Sequence, residues 1–164
     1  MRLVRLMLAG LMIATPMVGR AQESGIAVGS VAPGAAVETL DGKAIDLADY
    51  VKKGPTVLQF WATWCSNCKA LEPRINAAIK KYEGNVKVVS VAVSFNQSVD
   101  RIKAYRDKYH MAHEIVYDRK GYAADAYEAP ATSYIVVVDG KGKVVYTGVG
   151  ADQDIEAAVA KALK

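Results

Sequence analysis

The stretch VLQFWATWCSNCKALEP, from Val57 to Pro73, constrains this chain more than any other. An apolar run of strand type, Val57 to Trp61, passes through a short turn to Cys65 and Cys68, which open a helix beginning near Ser66. The first turn of a helix carries unpaired backbone N–H groups and the positive end of the helix dipole. A sulfur anion is stabilised there, so the Cys65 thiol is expected to ionise more readily than a free one. A spacing of three puts Cys68 about one turn further on, on nearly the same face and within reach of a disulfide. Cys65 is then the exposed sulfur, and Cys68 the one held against the body of the domain.

Three chemistries use such a pair: a redox dithiol, a structural disulfide, or half of a zinc site. A structural bridge stabilises most by closing a long loop, and this one would close a very short one. Zinc needs two more ligands, and the only histidines, His110 and His113, begin 42 residues beyond Cys68, far outside finger spacing. Those two have HxxH spacing between a helix end and a strand, where solvated or capping roles are the ordinary ones. The weight falls on the redox pair.

Residues 1–21 read as a signal peptide. Arg2 and Arg5 form a basic start, Leu6 to Gly19 is uncharged and apolar, and Gly19-Arg20-Ala21 offers small residues for cleavage before Gln22. The apolar run is short for a membrane span, which leaves an uncleaved anchor as the rival reading. Within residues 22–164 there are 18 basic and 17 acidic side chains, so the net charge of +4 is largely the leader's. That balance excludes the basic footprint of a nucleic-acid binder. The remaining 143 residues suffice for one domain with its own core.

Asp41-Gly42 suits a tight turn between strands Ala36 to Leu40 and Ala44 to Leu47, and a short helix follows over Asp46 to Lys53. The helix after the cysteines runs to about Tyr82, with Leu71, Ile75, Ala78, Ile79 and Tyr82 on one face and Pro73 inside it. Val86 to Val93 is continuously apolar, as in a strand buried on both faces. Ser98 caps a helix to Tyr109, with Val99, Ile102, Tyr105 and Tyr109 inward. Ile115 to Tyr117 reads as a strand and Lys120 to Tyr127 as a helix. Thr132 to Val138 and Lys143 to Val149 flank Asp139-Gly140-Lys141-Gly142 as a hairpin. Asp152 caps a last helix striped by Ile155, Val159 and Leu163. This order of elements is an α/β sandwich. Trp61 and Trp64 read as core and site-rim packing, and Asn96-Gln97-Ser98 as a polar turn.

WATWCSNCK, with Phe60 before it and Pro73 five residues after Cys68, resembles the active-site segment of the thioredoxin superfamily, most of all its exported TlpA/ResA-like branch. The resemblance covers roughly Val28 to Leu163. It implies a thioredoxin-like three-layer sandwich, a central mixed sheet with helices on both faces and an N-terminal β-hairpin. It also implies an exported, periplasmic thiol-disulfide oxidoreductase in which Cys65 and Cys68 are catalytic and no cofactor or metal is required. Its partners would be a protein disulfide substrate, as in cytochrome c or copper-site maturation, and a membrane thiol transporter as electron donor. The chain itself would touch the membrane only if the leader stays uncleaved. By composition Pro130 is a strand-start or turn proline. The resemblance makes it a cis proline opposite the cysteines, with Trp64, Ala129 and Pro130 receiving the substrate chain.

Two departures stand out. Gln59 replaces a buried aspartate of thioredoxin, and Leu71 replaces a glutamate that many TlpA/ResA-like proteins carry three residues after the second cysteine. Neither can accept a proton. Glu72 lies one helical step, about 100°, from that position, so water is the acceptor left for the Cys68 proton. Two alternatives share related folds: a peroxiredoxin-like peroxidase, which expects Thr where this chain has Ala62, and a copper carrier, which uses a longer cysteine spacing plus a histidine.

Overall fold

The computed structural model describes residues 25–164, so the signal peptide expected over residues 1–21 lies outside the described residues. The hairpin forms where Asp41-Gly42 predicts it, as β1 (Ala36–Thr39) and β2 (Ala44–Asp46), with Gly42 at φ 83°. Helix α1 (Ala48–Val51) is a single turn. It leads to β3 (Thr56–Trp61), α2 (Ser66–Lys81), β4 (Lys87–Val93) and α3 (Val99–Tyr109). Then come β5 (Glu114–Asp118), α4 (Tyr122–Ala126), β6 (Tyr134–Val138), β7 (Val144–Val149) and α5 (Ile155–Ala162).

The seven strands make one mixed sheet in the order β2-β1-β5-β4-β3-β6-β7. β3, β4 and β5 run parallel at its centre, while β1 pairs antiparallel with β5 and β6 with β3. Parallel strands need covering on both faces, and strand alternation divides the side chains accordingly. Leu58, Phe60, Val89, Val91, Val116 and Val136 face one layer, which Tyr50 of α1 and Ala123 of α4 close. Val57, Val88, Ile135 and Val137 face the other, under Leu71, Ile75 and Ala78 of α2 and Ile155 and Val159 of α5. Further along that second face, Trp61, Ala92, Ile115 and Tyr117 pack with Ile102 of α3 and with both cysteines. The expected three-layer sandwich is therefore the observed one.

Several local expectations change. The cap of α5 is Asp154, whose carboxylate accepts from the Ala157 N–H at 2.9 Å. Asp152 lies two residues too early for that role and instead reaches Arg74 across 3.6 Å. Tyr109 and Leu163, expected inward, are exposed because each sits at the last turn of its helix, beyond the edge of the layer below. Ser98 does cap α3, accepting from the Arg101 N–H.

Candidate active site

β3 ends at Trp61, and four residues later Cys65 is the N-cap residue of α2. Its φ and ψ, −79° and 106°, are extended, as a cap requires, and its sulfur accepts a hydrogen bond from the Cys68 N–H at 3.0 Å. A sulfur here does what a serine or aspartate oxygen does at other helix starts: it satisfies an N–H that the helix cannot. Cys65 and Cys68 are joined in a disulfide, with Cα atoms 5.3 Å apart. In this oxidised form both are buried, at 7% and 4% exposure, so the expected contrast between an exposed Cys65 and a covered Cys68 is absent.

The turn that carries the pair is fastened from a second loop. The Gln97 side chain accepts from the Thr63 N–H at 2.9 Å and donates to the Val93 carbonyl. Trp64, 40% exposed, donates its indole N–H to the Phe95 carbonyl at 2.9 Å and meets the Phe95 ring edge-on, with centroids 6.0 Å apart. Phe95 is itself 74% exposed, so an aromatic ridge stands beside the cysteines. In the sequence Gln97 reads only as part of a polar turn. The missing signal is tertiary, since nothing local pairs position 97 with position 63.

Pro130 does not match its expected geometry. Among the described residues no peptide bond is cis, so Pro130 is trans, and it lies exposed in a loop. That loop makes its reversals through positive φ at Glu128, 48°, and Ser133, 64°, not at the proline. Ala129 packs half-buried against the cluster on the opposite face of the sheet. The residue that the loop places beside the end of β3 is Ser133, whose N–H donates to the Phe60 carbonyl at 2.8 Å. Ser133 is fully buried, its hydroxyl accepts from the Gly150 N–H, and its carbonyl accepts from Gln153.

The histidines part company. His110 ends α3 in the left-handed region, φ 51°, as the capping reading expects. His113 is different: its side chain is only 2% exposed, and it faces Glu72 of α2. Burial pushes the Glu72 carboxyl up to about 7 and the His113 imidazole down to about 4, so each favours its neutral form. Ala62, where a peroxidase of this fold would need a hydroxyl, is buried and apolar. Among the described residues no three or more His, Cys, Asp or Glu side chains gather as a metal site.

The family model described as AhpC/TSA family matches residues 28–147, most of the chain. The chain belongs to the AhpC/TSA family. Within it, similarity is clear to thioredoxin-like protein YneN of Bacillus subtilis (strain 168), 33% identical over 130 residues, covering 79% of this chain and 75% of that protein. The thiol-disulfide oxidoreductase ResA of the same organism is 31% identical over 125 residues, covering 76% of this chain and 69% of ResA. Among solved structures, one from Chlorobium tepidum assigned as thiol:disulfide interchange protein DsbE superposes with a TM-score of 0.74 at 25% identity, over 85% of this chain and 99% of that one. The AhpC/TSA domain here is thus a thioredoxin-like enzyme of the thiol-disulfide oxidoreductase kind.

Proposed function

We propose that this protein is an exported protein disulfide reductase that cycles Cys65 and Cys68 between dithiol and disulfide. The observation that carries the reading is the N–H of Cys68 directed at the Cys65 sulfur at the start of α2. That contact stabilises Cys65 as thiolate, the form that attacks a disulfide. The Cys65 thiolate displaces one sulfur of the substrate disulfide and forms a mixed disulfide. Cys68 then attacks the Cys65 sulfur, releases the second substrate thiol and leaves the bond seen in the structure. Trp64 receives the substrate chain, with the loop that carries Ala129 and Pro130 meeting it through Ser133, the residue set beside the end of β3.

The names of the relatives ResA and DsbE support the thiol-disulfide class. The clients, on this reading, are proteins of cytochrome c or copper-site maturation, reduced in the periplasm after residues 1–21 are removed. A membrane thiol transporter returns electrons to the pair. The test is to express Cys68→Ala in the native host and identify disulfide-linked products by mass spectrometry. Covalent adducts to a defined set of exported cysteine proteins are expected, each lost on reduction. An absence of adducts while the variant stays folded overturns the reading.

A further inference from the structure

Gln59, Ser90 and His113 stand on or beside three adjacent strands, at the centre of the sheet face that α2 covers. Val57 and Trp61 flank Gln59 on that face, Val88 and Ala92 flank Ser90, and Ile115 follows His113 by one alternation. The row forms a polar seam between the apolar cluster under α2 and α5 and the cluster around the cysteines. Polar groups in such a place cost free energy unless bonded. Ser90 Oγ donates to Gln59 Oε1 at 2.9 Å and lies 2.7 Å from His113 Nε2. A hydroxyl has one proton, and here it goes to the Gln59 carbonyl, so Nε2 must be the donor of the second bond. Neutral His113 is then the Nε2–H tautomer, and its Nδ1 presents a lone pair.

That lone pair faces Glu72. Nδ1 and Glu72 Oε1 are 3.8 Å apart, and neither atom, though buried, has a hydrogen-bond partner among the described residues. With His113 neutral the contact is not an ion pair; it is a gap suited to one proton. Glu72 also sits four residues after Cys68 on α2, the spacing that makes helix side chains neighbours, with Cβ atoms about 5–6 Å apart. Its side chain keeps 22% exposure, an outlet to water.

We propose that Glu72 and His113 form a proton-sharing pair that accepts the Cys68 proton in the second step of the cycle, with Ser90 and Gln59 as positioning residues that hold the ring in its accepting tautomer. The inference rests on the redox reading given above. In that step the Cys68 sulfur donates an electron pair to the Cys65 sulfur, and the bond between Cys65 and the substrate breaks. The bonding pair leaves on the substrate sulfur, and the Cys68 proton passes to the Glu72 carboxylate, shared with His113 Nδ1. From there it returns to solvent or to the departing thiolate. No outside oxidant or reductant enters. The raised Glu72 carboxyl, near neutrality, suits a group that must both take and release a proton there. The titratable or charged groups that face the pair are Tyr105 of α3, which feels the Glu72 charge, and Lys87 and Glu114, which line the same cavity as His113. Tyr105 has its hydroxyl range raised by burial, then by Tyr109 and Glu72.

The experiment is stopped-flow reaction of the reduced protein with an aromatic disulfide that releases a coloured thiolate at each of the two steps. In the wild type the second release should show an inflection near pH 7. Glu72→Gln and His113→Gln should each slow that release on the order of 100-fold at pH 7.5 and remove the inflection, while the first release keeps its pH profile. A second release with unchanged rate and profile in both variants overturns the proposal and spares the redox reading; loss of the first release in the wild type overturns both. A measurement on the wild type guards against misfolded variants. Nitrogen-15 spectra of His113 at pH 6 should show the Nε2–H tautomer, and the Nδ1–H form would overturn the proposal.

Discussion

The backbone N–H of Cys68 points at the sulfur of Cys65 from 3.0 Å, and no corresponding donor is aimed at the sulfur of Cys68 among the described residues. In the disulfide form both cysteines are almost equally covered, so this bond is the asymmetry that the structure shows between them. Alkylation of the reduced protein at mildly acidic pH, read by peptide mass, should label Cys65 first, by roughly tenfold or more for a hydrogen bond to charge of about 1.5 kcal/mol. Equal labelling would remove the basis for assigning Cys65 as the attacking sulfur.

Glu72 and His113 pull stability in opposite directions with pH. The Glu72 carboxyl lies near 7 in the fold against an ordinary 4.5, so between those values the folded state holds the extra proton and stability falls as pH rises. His113 lies near 4 against 6.5, so the unfolded state holds the extra proton and stability rises with pH through that window. The slopes oppose each other in the wild type, which should be nearly flat from pH 4.5 to 6.5 as far as these groups are concerned. Urea midpoints should therefore climb with pH in Glu72→Gln and drop with pH in His113→Gln. Parallel curves for the two variants would contradict the burial that motivates them.

The outline of this fold was legible because its strands and helices announce themselves locally. Val86 to Val93 could only be a central strand, and the apolar stripe from Leu71 to Tyr82 could only lie on a sheet. The cysteine site was legible for the same reason, a strand, a turn and a helix start in one short segment. What stayed hidden depends on pairs distant in sequence. His113 looked like half of a solvated HxxH, and only the packing of α2 across β4 and β5 reveals it as the neighbour of Glu72. Pro130 was assigned through the resemblance, whereas the position beside Phe60 belongs to Ser133. The register that decides this is set by β6 against β3, where Phe60 pairs with Tyr134, and no pattern within the loop encodes it.

Gln97 fastens the cysteine turn to the loop after β4, and removing it strands a partly buried N–H on Thr63. Gln97→Ala should cost about 1–3 kcal/mol in urea unfolding. Hydrogen exchange should show a selective loss of protection over Thr63 to Cys65. An unchanged exchange pattern would mean that Trp64 and Phe95 hold the turn alone.

Tyr134 ties the start of the described chain to the sheet, accepting from the Ile26 N–H at 3.0 Å through its buried hydroxyl. Gly25 leaves room for that hydroxyl, since a Cβ there would lie 2.2 Å from it, and its φ of 101° is one that L side chains rarely adopt. Gly25→Ala should thus be destabilising by more than Tyr134→Phe, which loses one hydrogen bond worth about 1 kcal/mol. The reverse order in thermal unfolding would show that the segment before β1 yields easily.

The direction of the redox cycle follows from how strongly the thiolate is held. The dipeptide between the cysteines is Ser66-Asn67, with no cation, and the first turn of α2 contains no acid. Lys69, the nearest positive charge in sequence, is turned onto the Tyr109 ring, 5.5 Å from its centroid. The helix start and one N–H therefore stabilise the Cys65 thiolate without help from a neighbouring charge, a moderate effect. A strongly stabilised thiolate favours the dithiol and makes an oxidant, as in DsbA near about −120 mV, whereas thioredoxin, a reductant, lies near about −270 mV. This protein should fall closer to thioredoxin. Equilibration against a glutathione series with thiol counting gives the value, and a potential above about −170 mV on that scale would make it an oxidase.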